Sequence, residues 1–170
     1  RLSDSSAIRF AVLVHDLGKG ITPDDVLPSH TGHEARGVSL VNSLCDRLKV
    51  PNHFRQLALA VTEYHLMSHK ALQLEPKSVL KLLRGSGGLK SSDRLEAFIL
   101  CCEADARGRK GFEERDYPSA NYLRTALEMV SAVSISDLVE SGADGAEIGR
   151  QLDLRRNACI AELKQNYNAG

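Results

Sequence analysis

Net charge is the first thing this chain lacks. Its 22 lysines and arginines are matched by 22 aspartates and glutamates over 170 residues, so no chain-wide positive field exists to grip a polyanion by counterion release. Any nucleic-acid contact must be local. Long apolar runs are missing too: none approaches the roughly 20 residues of a bilayer-spanning helix, and no charged-then-apolar leader opens the chain. A cytoplasmic protein without a membrane partner is expected. The four cysteines, Cys45, Cys101, Cys102 and Cys159, have neither CxxC spacing nor a disulfide-like framework, which points to reduced, packed thiols. Period-two alternation is scarce, and there is no internal repeat or low-complexity stretch.

What is present is apolar spacing at three and four residues from end to end, so the expected fold is all-α. A composition 42% hydrophobic and 26% charged suits one main core with a small appendage. A first helix should carry Ile8, Ala11, Val12 and His15 and stop near Gly18 and Gly20. A proline-containing loop, ITPDDVLPSHTGHE, then leads to a second helix with Val38, Val41, Leu44 and Leu48, closed before Val50-Pro51. A third takes Phe54, Leu57, Val61 and His65. Pro76 opens a fourth through Leu83, residues 84–90 form a loop, and Ser91, Ser92 or Asp93 caps a fifth through Leu95, Phe98, Ile99 and Cys102. Helices near 122–133 and 144–165 follow, with 134–138 as a connector. The chain opens on Arg, close before its first apolar segment, and reads as a piece of something longer.

Two features carry chemistry. His15 and Asp16 end a strongly apolar helix, and imidazole and carboxylate are good ligands for divalent metals. A satisfied core histidine is the plainer reading of such a residue. Asp105 follows Leu95, Phe98 and Cys102 at steps of three, four and three, which places a carboxylate on an apolar face. There it needs a metal, a donor or a cation such as Arg107 or Arg109. His65 stands likewise on the inner face of the third helix. His33, where the loop meets the second helix, is a further ligand or a substrate contact. His30, His53 and His69 read as surface residues. Lys19, Arg36, Arg107 and Arg109 are candidates for phosphate or substrate binding, although charged residues near helix ends are commonly just solvated.

HDLGKG, PSHTGHEARGVSLV, RLKVPN, TEYH, LKLL and EADARGRKGFEERDYP together resemble the C-terminal HD domain of the bacterial multifunctional CCA-adding (tRNA nucleotidyltransferase) enzymes. The likeness runs over nearly the whole chain. It implies an HD-domain helical bundle over residues 1–112 and a C-terminal helical extension over 113–170. It implies a metal-dependent phosphohydrolase acting on 2′,3′-cyclic phosphodiesters, 2′-nucleotides or other small nucleotide or RNA-end phosphoesters. The divalent ion would be nickel, magnesium, manganese or cobalt. His15, Asp16 and His65 carry over as the catalytic residues. Asp105 falls where the wider superfamily places its last ligand. tRNA and an N-terminal nucleotidyltransferase domain are the implied partners, and the nucleotide-adding chemistry has no residues in this segment. HD sites also use a histidine on an earlier helix, which RLSDSSA lacks. That gap keeps alive an alternative, a catalytically weak module that supports and positions tRNA. An iron-dependent HD oxygenase, needing six ligands, fits less well.

Overall fold

The computed structural model describes residues 2–169, and every regular element among them is a helix. The all-α expectation holds. In order come α1 (Ser6–Val14), α2 (His33–Arg47), α3 (Asn52–His69), α4 (Pro76–Gly85), α5 (Ser92–Arg107), α6 (Pro118–Ser131), α7 (Ser136–Glu140) and α8 (Gly145–Ala169), with 3₁₀ turns at Leu17–Ile21 and Ala71–Gln73. No helix in the described residues is long and apolar enough to cross a membrane.

The hub is α3, which packs against α1, α2, α4 and α5. Its inner face carries Ala58, Ala60, Val61 and Ser68, all buried, and such small side chains let four neighbours approach. Phe98 of α5 and Leu82 and Leu83 of α4 are fully buried in the same core. α8 lies across α4 and α6 and contributes Ile160 and Leu163.

Several boundaries differ from expectation, three of them informatively. α1 ends at Val14, not near Gly18 and Gly20. The His15 ring donates Nδ1–H to the Val12 carbonyl at 2.7 Å, satisfying one of the carbonyls left without a partner at a helix end, and the chain then tightens into a 3₁₀ turn. α6 starts four residues early because Pro118 fits a first helical turn. The supposed connector around 134–138 contains the start of α7. Arg155 of α8 pins it, donating to Asp137 at 2.8 and 2.5 Å and to the Ser134 carbonyl at 2.8 Å.

Candidate metal centre

Three histidines converge from three elements with the same ring orientation. His15 Nδ1 faces the Val12 carbonyl, His65 Nδ1 the Val61 carbonyl at 3.0 Å and His33 Nδ1 the His30 carbonyl at 3.0 Å. A carbonyl oxygen only accepts, so each Nδ1 carries the proton and each Nε2 turns a lone pair inward. His33 Nε2 and His65 Nε2 stand 3.4 Å apart. Asp16 Oδ1 lies 3.1 Å from His33 Nε2 and 3.7 Å from His65 Nε2, and Asp105 Oδ1 lies 3.6 Å from His15 Nε2. The ligand atoms form two groups sharing His65: one of His15, His65 and Asp105, the other of Asp16, His33 and His65, each within 4.8 Å.

This donor set fits a divalent cation. His15 Nε2 and Asp16 Oδ1 are buried without a hydrogen-bond partner, a state that costs free energy unless something positive answers it. Mixed imidazole and carboxylate ligation is what borderline divalent metals accept. Both carboxylates are held ionised. The His15 and His69 imidazoles keep Asp105 well below the usual carboxylate range. Burial would raise Asp16, but Lys19, whose ammonium donates to Oδ2 at 2.5 Å, outweighs it and lowers the carboxyl. Burial and the neighbouring His15 charge push His65 down, toward the neutral form a metal needs. At His15 burial pulls down, while Asp105 and the Val12 carbonyl pull harder in the other direction, and the net shift is upward.

The structure brings His15, Asp16, His33, His65 and Asp105 together and redistributes the rest. Asp105 does not pair with Arg107 or Arg109. Its Oδ2 accepts from His69 Nε2 at 2.8 Å, so His69 is a site residue and not the surface histidine expected. Because Nε2 is the donor, His69 Nδ1 accepts from the Tyr117 hydroxyl at 3.2 Å, and that oxygen also meets Ser68 Oγ at 2.8 Å. His30 is half-buried, its Nδ1 2.8 Å from Thr22 Oγ1, while His53 is exposed. Arg36 is committed to the loop before α2, donating to the carbonyls of Thr31 and His30 and to Thr22 Oγ1. Arg107 is committed to Glu103 and the Glu113 carbonyl. Of the four cations expected at the site, Lys19 stands on Asp16 and Arg109 is exposed beside Asp105 in a cleft between α5 and α6.

The Ser68–Tyr117–His69–Asp105 chain orients from behind a carboxylate that could hold a metal. Such outer partners are worth roughly 10–100-fold in metal affinity. Tyr117→Phe keeps the ring and removes the hydroxyl, so calorimetric titration with manganese should show affinity reduced by about 10-fold. An unchanged affinity would mean that Asp105 needs no such support.

A helical bundle with this histidine and carboxylate centre is a known class: the chain belongs to the HD domain family, whose model matches residues 1–106. Among individual proteins it is 52% identical over 167 residues to the multifunctional CCA protein of Thioalkalivibrio sulfidiphilus, covering 98% of this chain and 41% of that one. The multifunctional CCA proteins of Psychromonas ingrahamii (44% identity, 99% and 41% covered) and Teredinibacter turnerae (48%, 96% and 40%) are similar to it over the same span. The chain thus spans about two fifths of the length of the curated relatives it matches. No solved structure matches it.

Proposed function

We propose that this domain is a metal-dependent phosphohydrolase, acting on 2′,3′-cyclic phosphodiesters, 2′-phosphates or related phosphomonoesters of nucleotides or RNA ends, within a cytoplasmic tRNA CCA-adding enzyme. Residues 113–170 are its helical extension, packed on residues 1–112. The observation that carries the reading is the convergence of three Nε2 lone pairs and two ionised carboxylates around His15 Nε2 and Asp16 Oδ1, both buried and unpartnered. Such a set calls for a cation, and the family and the named relatives direct the chemistry toward phosphoesters.

His15, Asp16, Asp105, His65 and His33 would hold the ion, which is nickel, magnesium, manganese or cobalt. When bound, it acidifies water and offsets charge on the phosphoryl oxygens. The protein's own residues do the rest. The carbonyls of Val12, Val61 and His30 fix the tautomers. Lys19, half-exposed on the outer oxygen of Asp16, presents an ammonium to a phosphoryl oxygen. Whichever of His33 and His65 the ion leaves free would have to carry a second proton, on Nε2 beside the one on Nδ1, to deliver it to the departing ribose oxygen.

The test is hydrolysis of 2′,3′-cyclic AMP across those four metals, by this chain and by a version extended upstream. His15→Ala should reduce metal-dependent turnover by at least about 100-fold, the scale of losing a group central to acid–base or metal chemistry. A second reading, a structural and tRNA-positioning module, draws support from one feature: Arg36, Arg107, Lys19 and Asp105 all have internal partners already. On that reading His15→Ala shifts the melting temperature and no phosphoester is hydrolysed with any metal.

A further inference from the structure

Asp105 faces two ways. One oxygen looks toward His15, while the carboxylate also forms the inner wall of a cleft of about 470 Å³ between the ends of α3 and α5 and the loop leading to α6. That volume lies in the range of small-ligand sites, about 300–1,000 Å³. The outer wall comes from the loop at 108–117. It is built of two successive turns, Phe112 N–H to the Arg109 carbonyl at 2.9 Å and Arg115 N–H to the Phe112 carbonyl at 3.0 Å, so its side chains are displayed from a preformed backbone. Phe112 is 37% exposed, and the Arg115 guanidinium lies over its ring at 5.2 Å. A ring covered by a guanidinium, at the edge of an open cleft, is a stacking platform for a nucleobase.

The same cleft holds charge that the fold does not use. Lys70, Arg109 and Arg115 line it, and their side chains make no hydrogen bond or ion pair among the described residues, against two acids in the lining, Asp116 and Asp105, the second of which is engaged by His69. Arg107, the fourth cation in the wall, is spent on Glu103 and Glu113. In a chain of zero formal charge this is a local basic patch beside an aromatic face. Bare phosphate would use the cations alone, whereas a base joined to a phosphate uses both features.

We propose that this cleft is the nucleoside subsite of the metal centre, with Phe112 and Arg115 stacking the base and Arg109 and Lys70 binding a phosphate of the same ligand. The proposal rests on the phosphohydrolase reading for its connection to catalysis, but not for binding. Its ligand class is a nucleotide unit, supplied either by a free nucleotide or by the 3′ end of an RNA.

Binding is measured by calorimetry in chelator, so that no metal contributes, with adenosine 2′-monophosphate and with a short oligoribonucleotide ending in a 2′-phosphate. Phe112→Ala and Arg109→Gln alter exposed loop residues and should keep the melting temperature, while each weakens nucleotide binding by about 10-fold or more, the scale of a lost base stack or phosphate contact. Tighter binding of the oligonucleotide identifies an RNA end as the source, equal binding identifies the free nucleotide, and both support the subsite if the dependence on Phe112 persists. With metal restored, Phe112→Ala should lower the ratio of kcat/KM on 2′,3′-cyclic AMP to that on glycerol 2-phosphate, which has no base to stack. Nucleotide binding that needs Phe112 and Arg109, with no hydrolysis under any metal, would end the catalytic reading and leave the subsite standing. No binding by the unaltered chain, or binding and a substrate ratio that both variants leave unchanged, would overturn the subsite while hydrolysis stood.

Discussion

His65→Ala is expected to lower metal affinity by at least about 100-fold, beyond the range seen for outer partners, and to remove metal-dependent hydrolysis with it. His65 alone belongs to both ligand groups, so its loss weakens each, whereas His33→Ala touches only one and should cost less. The side chain is 1% exposed, and truncating a buried residue of this size costs about 2–4 kcal/mol, so the metal-free variant should also melt earlier. Calorimetric titration with manganese, run beside melting curves in chelator, separates the two effects. A folded His65→Ala chain with unaltered affinity would remove the shared-ligand arrangement. The same titration has a required pH dependence. His15 is raised above its ordinary 6.5, so lowering the pH through that raised value protonates Nε2, pairs the imidazolium with Asp105 and excludes the ion. Affinity should therefore rise from pH 6 toward pH 8.

The parts of this centre visible in the sequence were those whose chemistry contradicted their surroundings. His15 and Asp16 end an apolar helix, Asp105 continues an apolar stripe, and His65 lies four residues beyond buried Val61. Each is polar where the periodicity calls for apolar. His69 had a weaker signal, being four residues from His65 on the same helix face, but its place at the end of α3 made a solvated histidine the simpler reading. Tyr117 had none. It reaches His69 across 48 residues of chain, and no local pattern encodes a contact made by a long loop. The internal commitments of Arg36 and Arg107 were illegible for another reason. A guanidinium reads identically in sequence whether it awaits a phosphate or, like Arg36, has its donors turned onto loop carbonyls. The α1 boundary was misplaced because glycine is a common helix stop, while here the stop is a side chain, His15, bonding back to Val12.

Those two glycines of HDLGKG differ sharply in what they permit. A Cβ at Gly18 would lie 1.9 Å from the His33 carbonyl oxygen and 2.6 Å from the Gly37 backbone nitrogen, because the 3₁₀ turn after Asp16 presses directly on the first turns of α2. Backbone cannot swing aside as a side-chain tip can. Gly18→Ala must push the turn and α2 apart, at a cost of about 3 kcal/mol or more, the upper range of overpacking. At Gly20 nothing lies within 4 Å, and Gly20→Ala should stay within about 0.5 kcal/mol, as exposed substitutions do. Urea unfolding of the two variants checks this directly, since the midpoint should drop for Gly18→Ala and barely move for Gly20→Ala. The consequence reaches the metal centre, because Asp16 sits at the start of that turn and His33 begins α2. The close contact at Gly18 sets the separation between Asp16 Oδ1 and His33 Nε2, now 3.1 Å. Gly18→Ala should therefore lose metal affinity even at temperatures where it remains folded. Equal unfolding midpoints for the two alanine variants would show that the turn is free to move, and that this contact does not hold the ligands in register.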